Sequence, residues 1–329
     1  MLIISPDSSG NPTLFRRRLQ WIAGNSSKKN KNKYIVLQMK KIDIEDFKVT
    51  KTIKLKDFST ILDSDWDDDE VEEKLLKTQK KLSELQDVMY AHNRYGVLIC
   101  LQGMDTSGKD SLIREVFKEF NSRGVVVHSF KTPNSTELEH DYLWRHYLAL
   151  PEKGKFAVFN RTHYENVLVT RVHPEYILGE NLPGITLVND ITPEFWDDRM
   201  QQINNFEKHI SQNGTVVLKF YLNMSKDEQR KRLLHRLENE SDNWKFSTGD
   251  LKERERWEDY MKCYEKAINA TSTKNAPWHI IPADDKEMCR YLVAKIIWEA
   301  LQKLTDIKFP ELTEDVKKNI EMYKQSLSK

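Results

Sequence analysis

YGVLICLQGMDTSGKDS, residues 95–111, carries an apolar run into a glycine-framed loop and then into a helix. The continuous apolar character of residues 97–101 predicts a short buried strand. Leu112, Ile113, Val116 and Phe117 recur at helical spacing behind the loop. Between them stands Gly103-Met104-Asp105-Thr106-Ser107-Gly108-Lys109, a G-x-x-x-x-G-K pattern in the strand–loop–helix context that a phosphate cradle requires. Gly103 and Gly108 let the backbone fold tightly round an anion, the amides point inward, and the helix N-terminus adds partial positive charge. Lys109 then supplies a full charge. The position after that lysine, commonly a magnesium-ligating Ser or Thr, is Asp110, and Ser111 stands one place late. Asp105 puts another carboxylate inside the loop. Two carboxylates beside a phosphate cradle suit the holding of Mg²⁺ or the positioning of an attacking group.

Downstream, strands and helices alternate. Residues 125–127 predict a second strand and 137–149 a helix carrying Trp144, Arg145 and His146. A third strand over 155–159 runs into Asn160-Arg161-Thr162-His163-Tyr164-Glu165. Ligands of open α/β sheets bind beyond the carboxyl ends of strands, so this segment belongs to the site. Asn160 stands where an Asp would usually hold metal, and Arg161 is placed to hold a transferring phosphoryl group. Residues 193–212 predict a helix and 216–222 a fourth strand. Ser225 with Glu228 forms a capping-box pattern opening the next helix. That helix carries Lys226, Arg230, Lys231, Arg232, His235 and Arg236, and Lys245 follows. Basic charge so dense beside a phosphate site predicts a lid over residues 225–250 that closes on anionic substrate. A long helix over 250–271, a fifth strand over 278–282 and a closing helix over 288–304 complete the alternation. One α/β domain over residues 41–310 follows.

Upstream, Leu75, Leu82, Leu85, Val88 and Met89 form the stripe of a helix over 70–91 that packs beside the sheet. Residues 1–40 are rich in Ser, Asn, Gly and Lys and read as a disordered extension, with Met39 as an alternative start. Residues 311–329 read as a polar helix or tail. Charged residues make up 31% of the 329 and balance to +1, so bulk charge gives no argument for nucleic acid as partner. Cys100, Cys263 and Cys289 are too scattered for a disulfide framework or a zinc site and fit a reduced, cytoplasmic compartment. No apolar run approaches membrane-spanning length, and no clean signal peptide opens the sequence.

The loop GMDTSGKD, the segments FNRTHYENVLVTRVHPEY and KFYLNMSKDEQRKRLLHR, and the pair NWKFSTGDLKERERW and APWHIIPADDK occur in one order. Together they resemble the polyphosphate kinase type-2 family over about residues 60–305. The resemblance implies a three-layer P-loop-kinase fold with a central five-stranded parallel sheet and a helical lid. It implies Mg²⁺-dependent phosphoryl transfer between inorganic polyphosphate and ADP, AMP or ATP. Asp105, Lys109 and Asp110 match the first family motif, with Asp105 and Asp110 as metal ligands, and Asn160 and Arg161 match the second. Gly103, Gly108, Lys131, Glu165, Arg171, Arg230, Arg232, Arg236 and Lys245 fall on the substrate-binding side. Asn160-Arg161 followed by Tyr164-Glu165 resembles the subgroup acting on both nucleoside mono- and diphosphates. A homo-oligomer is expected.

Polyphosphate is a linear polyanion, and a track of Lys109, Lys131, Arg161 and the lid arginines suits it without a base pocket. An ATP-dependent nucleoside monophosphate kinase of the same fold and a non-catalytic phosphate-binding module stand as the alternatives.

Overall fold

The computed structural model describes residues 42–328; the expected disorder of residues 1–40 and the alternative start at Met39 lie outside them. Contacts from Ile42 onward cluster into one unit. The five strands are β1 (Gly96–Gln102), β2 (Val125–Ser129), β3 (Phe156–Asn160), β4 (Thr215–Asn223) and β5 (Trp278–Pro282). All pair in parallel, in the order β2-β3-β1-β4-β5, so β1 is central. The chain crosses to one side of β1 for β2 and β3 and to the other for β4 and β5. That reversal makes the carboxyl end of β1 the switch point where α/β sheets bind ligands.

The helices are α1 (Asp68–His92), α2 (Lys109–Val116), the short α3 (Ser135–Leu138), α4 (Trp144–Leu148) and α5 (Val169–Val172), then α6 (Pro193–Gln212). After β4 come α7 (Lys226–Glu238), α8 (Thr248–Glu255), α9 (Trp257–Thr271), α10 (Lys286–Gln302) and α11 (Glu314–Leu327). Alternate β1 residues part the core. Val97, Ile99 and Leu101 join the cluster that holds α1 and α10, whereas Leu98 and Cys100 meet Phe206 and Ile210 of α6. Two helical layers on one sheet give the three-layer architecture that the resemblance implies.

Helix α1 begins at a reciprocal cap: Asp67 accepts from the Glu70 amide at 2.9 Å and Glu70 accepts from the Asp67 amide at 3.2 Å. Its buried stripe is Leu75, Leu82 and Met89, with Gln79 and Gln86 buried between them. Those glutamines donate to the Glu115 and Asn121 carbonyls at 2.6 and 2.9 Å, tying α1 to the end of α2.

Three local expectations need correction. The helix expected over 137–149 is split into α3 and α4, because the Asp141 side chain accepts from the Leu143 amide at 2.8 Å and starts a separate turn. The helix expected over 250–271 breaks at Arg256, so that Trp257, Tyr260 and Tyr264 of α9 turn inward. The capping box at Ser225 is only half formed. Ser225 accepts from the Glu228 amide at 3.0 Å, but the Glu228 carboxylate bonds Arg232, and the Ser225 amide donates to Asp284 at 2.7 Å.

Candidate active site

Residues 103–108 leave the carboxyl end of β1 and wrap back to the first turn of α2. Gly103 has no room for a side chain, since a Cβ there would lie 2.8 Å from Ser107 Oγ and 3.1 Å from the Leu222 carbonyl oxygen. Gly108 caps α2 at φ 98°, a left-handed conformation that favours glycine. Lys109 is buried; its Nζ donates to the Gly103 carbonyl at 2.7 Å and the Met104 carbonyl at 3.2 Å. Burial first, and then the Arg161 cation, hold the Lys109 pKa below the ordinary lysine range. Ser111 turns back to the Gly108 carbonyl at 3.0 Å and so serves the helix start.

The segment after β3 meets this loop in two side-chain pairs. Asn160 Nδ2 donates to Asp110 Oδ1 at 2.6 Å, and Arg161 Nη2 donates to Asp105 Oδ1 at 2.7 Å. The β1–β3 register, which sets Leu101 opposite Asn160, brings the two segments side by side. All five expected catalytic residues therefore converge at one end of the sheet. Thr106 and Arg161, neither of them glycine, take left-handed φ values of 66° and 60°. Such backbone costs about 1–3 kcal/mol per residue and persists only where its surroundings impose it.

The expected substrate-binding residues divide. Glu165 accepts from buried Gln102 Nε2 at 3.1 Å, and the same amide nitrogen reaches Thr162 Oγ1 at 3.1 Å. Lys131 and Arg230 are exposed. Arg171 packs over Trp196 at 5.5 Å, on the α6 side of the site. Arg232 departs most from expectation. It is 8% exposed, and its guanidinium donates to Glu228 at 2.9 Å, to the Thr106 carbonyl at 3.1 Å, and to the Ala283 and Asp284 carbonyls at 2.7 and 3.0 Å. Instead of waiting on a lid, it buckles α7 to the phosphate loop and to the end of β5. Arg236 and Lys245 are likewise engaged, Arg236 with Asp250 at 3.4 Å and Lys245 with Asp242 at 2.7 Å.

Sequence reasoning missed several parts of this site. Gln229, one helical turn before Arg232, donates to the Asp105 carbonyl at 3.1 Å and accepts from Arg254 of α8 at 2.8 Å. Its spacing on the inward face of α7 was the available signal. Asp250 faces the loop as well: burial first, and then the Asp105 charge, push its carboxyl pKa up. No spacing in the sequence pointed to it.

Asp105 and Asp110 fit Mg²⁺. Each has one oxygen engaged by Arg161 or Asn160 and none of the hydrogen bonds among the described residues uses the other. Those residues contain no cluster of three or more His, Cys, Asp or Glu suited to a metal. Mg²⁺ does not require one, because it takes one or two carboxylates and completes its shell with water and substrate phosphates.

The family model described as Polyphosphate kinase 2 matches residues 65–308. The chain belongs to the polyphosphate kinase 2 family. A relative from Rhodopseudomonas palustris, named ADP-polyphosphate phosphotransferase, is 43% identical over 292 residues, covering 88% of this chain and 100% of its own. An AMP/ADP-polyphosphate phosphotransferase from Meiothermus ruber is 42% identical over 239 residues, 73% of this chain and 84% of its own. The crystal structure of polyphosphate kinase 2 from Arthrobacter aurescens TC1 superposes with a TM-score of 0.78 at 33% identity, covering 85% of this chain and 96% of that one. These findings bear out the family resemblance and the parallel five-stranded architecture read from the sequence.

Proposed function

We infer that this chain is a polyphosphate-dependent nucleotide phosphotransferase that moves a phosphoryl group between inorganic polyphosphate and ADP or AMP, with Mg²⁺. The observation that carries the reading is the convergence of Asp105, Lys109, Asp110, Asn160 and Arg161 on the switch point of a polyphosphate kinase 2 chain. The relatives' names support both acceptors, ADP in one and AMP or ADP in the other.

The chemistry asks little of covalent groups. The terminal phosphate of a nucleotide has its second pKa at about 6 and is largely ionised at neutral pH, so no side chain has to remove a proton from it. The residues have to bring two polyanions together and neutralise charge along an in-line path. Lys109 exchanges the carbonyls of Gly103 and Met104 for phosphoryl oxygens. Arg161, its side chain 46% exposed and its backbone in a left-handed conformation, offers a planar fork to the transferring group. Mg²⁺, held through Asp105 and Asp110, would neutralise the phosphate oxygens. Exposed Lys131 and Arg230 extend the positive track along which the polyphosphate chain lies. Three buried free thiols support a reducing cytoplasm as the location, and a homo-oligomer belongs to the same reading. No helix among the described residues is long and apolar enough to cross a membrane.

The test is purified protein with Mg²⁺ and polyphosphate, offered ADP or AMP in the absence of ATP. The reading expects ATP from ADP, and ADP followed by ATP from AMP. Transfer that requires ATP as donor would favour a conventional monophosphate kinase, and absence of any transfer would leave only phosphate binding.

A further inference from the structure

A buried ionic cluster lies behind the site, on residues the mechanism above does not use. Glu207 of α6 is 1% exposed, and Lys219 of β4, His163 and Tyr164 are 0% exposed. Lys219 Nζ spends all three donors, on Glu207 Oε2, Tyr164 Oη and the Thr271 carbonyl, each at 2.7 Å. Tyr164 Oη in turn donates to Glu207 Oε1 at 2.7 Å, and His163 Nε2 lies 3.2 Å from that oxygen. Burial holds the His163 pKa below its ordinary value, so the ring is neutral and Nε2 carries the donated proton. One carboxylate thus gathers two consecutive residues of the segment that carries Arg161.

The strained turn at Arg161 needs such an anchor. On its upstream side Asn160 is fixed by the sheet, paired with both β1 and β2. Downstream, Thr162 is held by Gln102, and His163 and Tyr164 by Glu207. Arg161 itself makes a side-chain bond only to Asp105 among the described residues, which does not dictate its φ of 60°. Released at the downstream end, a non-glycine residue relaxes toward the extended region and takes its guanidinium with it.

We propose that Glu207, braced by Lys219 and acting through Tyr164 and His163, is a positioning residue that holds Arg161 in the conformation phosphoryl transfer requires. The proposal rests on the role given to Arg161 above.

A double-mutant cycle on kcat tests it, with polyphosphate, ADP and Mg²⁺ and with folding of each variant checked by circular dichroism. Tyr164→Phe keeps the ring and the Lys219–Glu207 pair and should lower kcat about tenfold with little change in either KM. In the Arg161→Ala background the same change should cost less than about twofold, because its effect runs through the missing side chain. An equal factor in both backgrounds would mean a general packing role and overturn the proposal. If Arg161→Ala cripples turnover and Tyr164→Phe does not, the function stands and this proposal alone falls. If Arg161→Ala leaves kcat unchanged, the role of Arg161 fails and the proposal with it. Should Tyr164→Phe not fold, His163→Phe takes its place in the cycle. It cuts a bond to the same oxygen while removing a ring whose Nδ1 is buried without a partner among the described residues.

Discussion

Replacing Arg232 with Met separates a lid arginine that grips substrate from a buckle that holds the loop. Met keeps the length of the stem and its packing but removes every donor. Four hydrogen bonds disappear, to Glu228 and to the carbonyls of Thr106, Ala283 and Asp284, at a site 8% exposed. Removing one partner of a buried, hydrogen-bonded charge typically costs about 3–5 kcal/mol, much of it from the groups left unpaired. A domain of this size loses roughly 2–4 °C per kcal/mol, so the melting temperature should fall by roughly 6–20 °C. Below that temperature the Thr106 carbonyl is free to move, and with it the left-handed turn of the phosphate loop. Turnover should therefore fall. The KM for polyphosphate and its dependence on salt should stay near wild type, because a buried side chain contributes no screened contact to a polyanion. Thermal melts and initial rates over a polyphosphate series at low and high salt give all three quantities. A variant with unchanged melting temperature, a raised KM for polyphosphate and a flatter salt dependence would refute the buckle and return Arg232 to the substrate face.

Lys109→Ala should abolish transfer while leaving the circular dichroism spectrum intact, since the glycines set the loop and the lysine charge meets the phosphate; normal turnover in the folded variant would remove the loop from the mechanism. Asp105→Asn should lose most activity and need more Mg²⁺ to recover it, because an amide holds the ion weakly; rates indifferent to Mg²⁺ in both proteins would overturn the metal role. The alkaline limb of kcat/KM should lie below the ordinary lysine pKa of about 10.4, because Lys109 must stay charged and its pKa is lowered by burial and by Arg161. Glu165 raises that pKa by its negative charge, so Glu165→Gln should move the limb to still lower pH; a limb that stays put or moves up would break the link.

How much of this was legible depended on whether a feature is local in the chain. The phosphate loop is spelled by consecutive residues, and the strands of a sheet buried on both faces show as apolar runs, so β1, β3 and β5 read directly. The family motifs then set Asn160 and Arg161 at the switch point. What the sequence could not show is which side chains spend their donors on the protein itself. Arg230, Arg232 and Arg236 look alike as letters, yet one is exposed, one is buried against three carbonyls and one reaches Asp250. The carbonyls that capture Arg232 belong to residues 51 or more positions away and leave no periodic trace. Lys219 did leave one, since a lysine within the apolar run of a central strand must find a buried anion. Its partner Glu207 lies beside Phe206 on the apolar stripe of α6, where a carboxylate is equally out of place.

The pairing at the mouth of the site gives a physical reason for an amide at position 160. Asp105 is matched by Arg161, Asp110 by Asn160, and Lys109 by backbone carbonyls, so each charged side chain of the loop already has a partner within the protein. An aspartate at 160 would set two carboxylates 2.6 Å apart, which cannot both ionise. With an amide there, Asp110 accepts a donated hydrogen bond where a second carboxylate would offer none, and Asn160 keeps a donor to give. On the function proposed above, charge entering as phosphate with its cation trades these partners at once. Asp105 and Asp110 would hold the cation, and Arg161, Asn160 and Lys109 would be free to donate to phosphoryl oxygens. Those exchanges keep the number of unpartnered buried groups low on both sides of the step, and so ground-state contacts are exchanged for contacts to the transferring group at small cost.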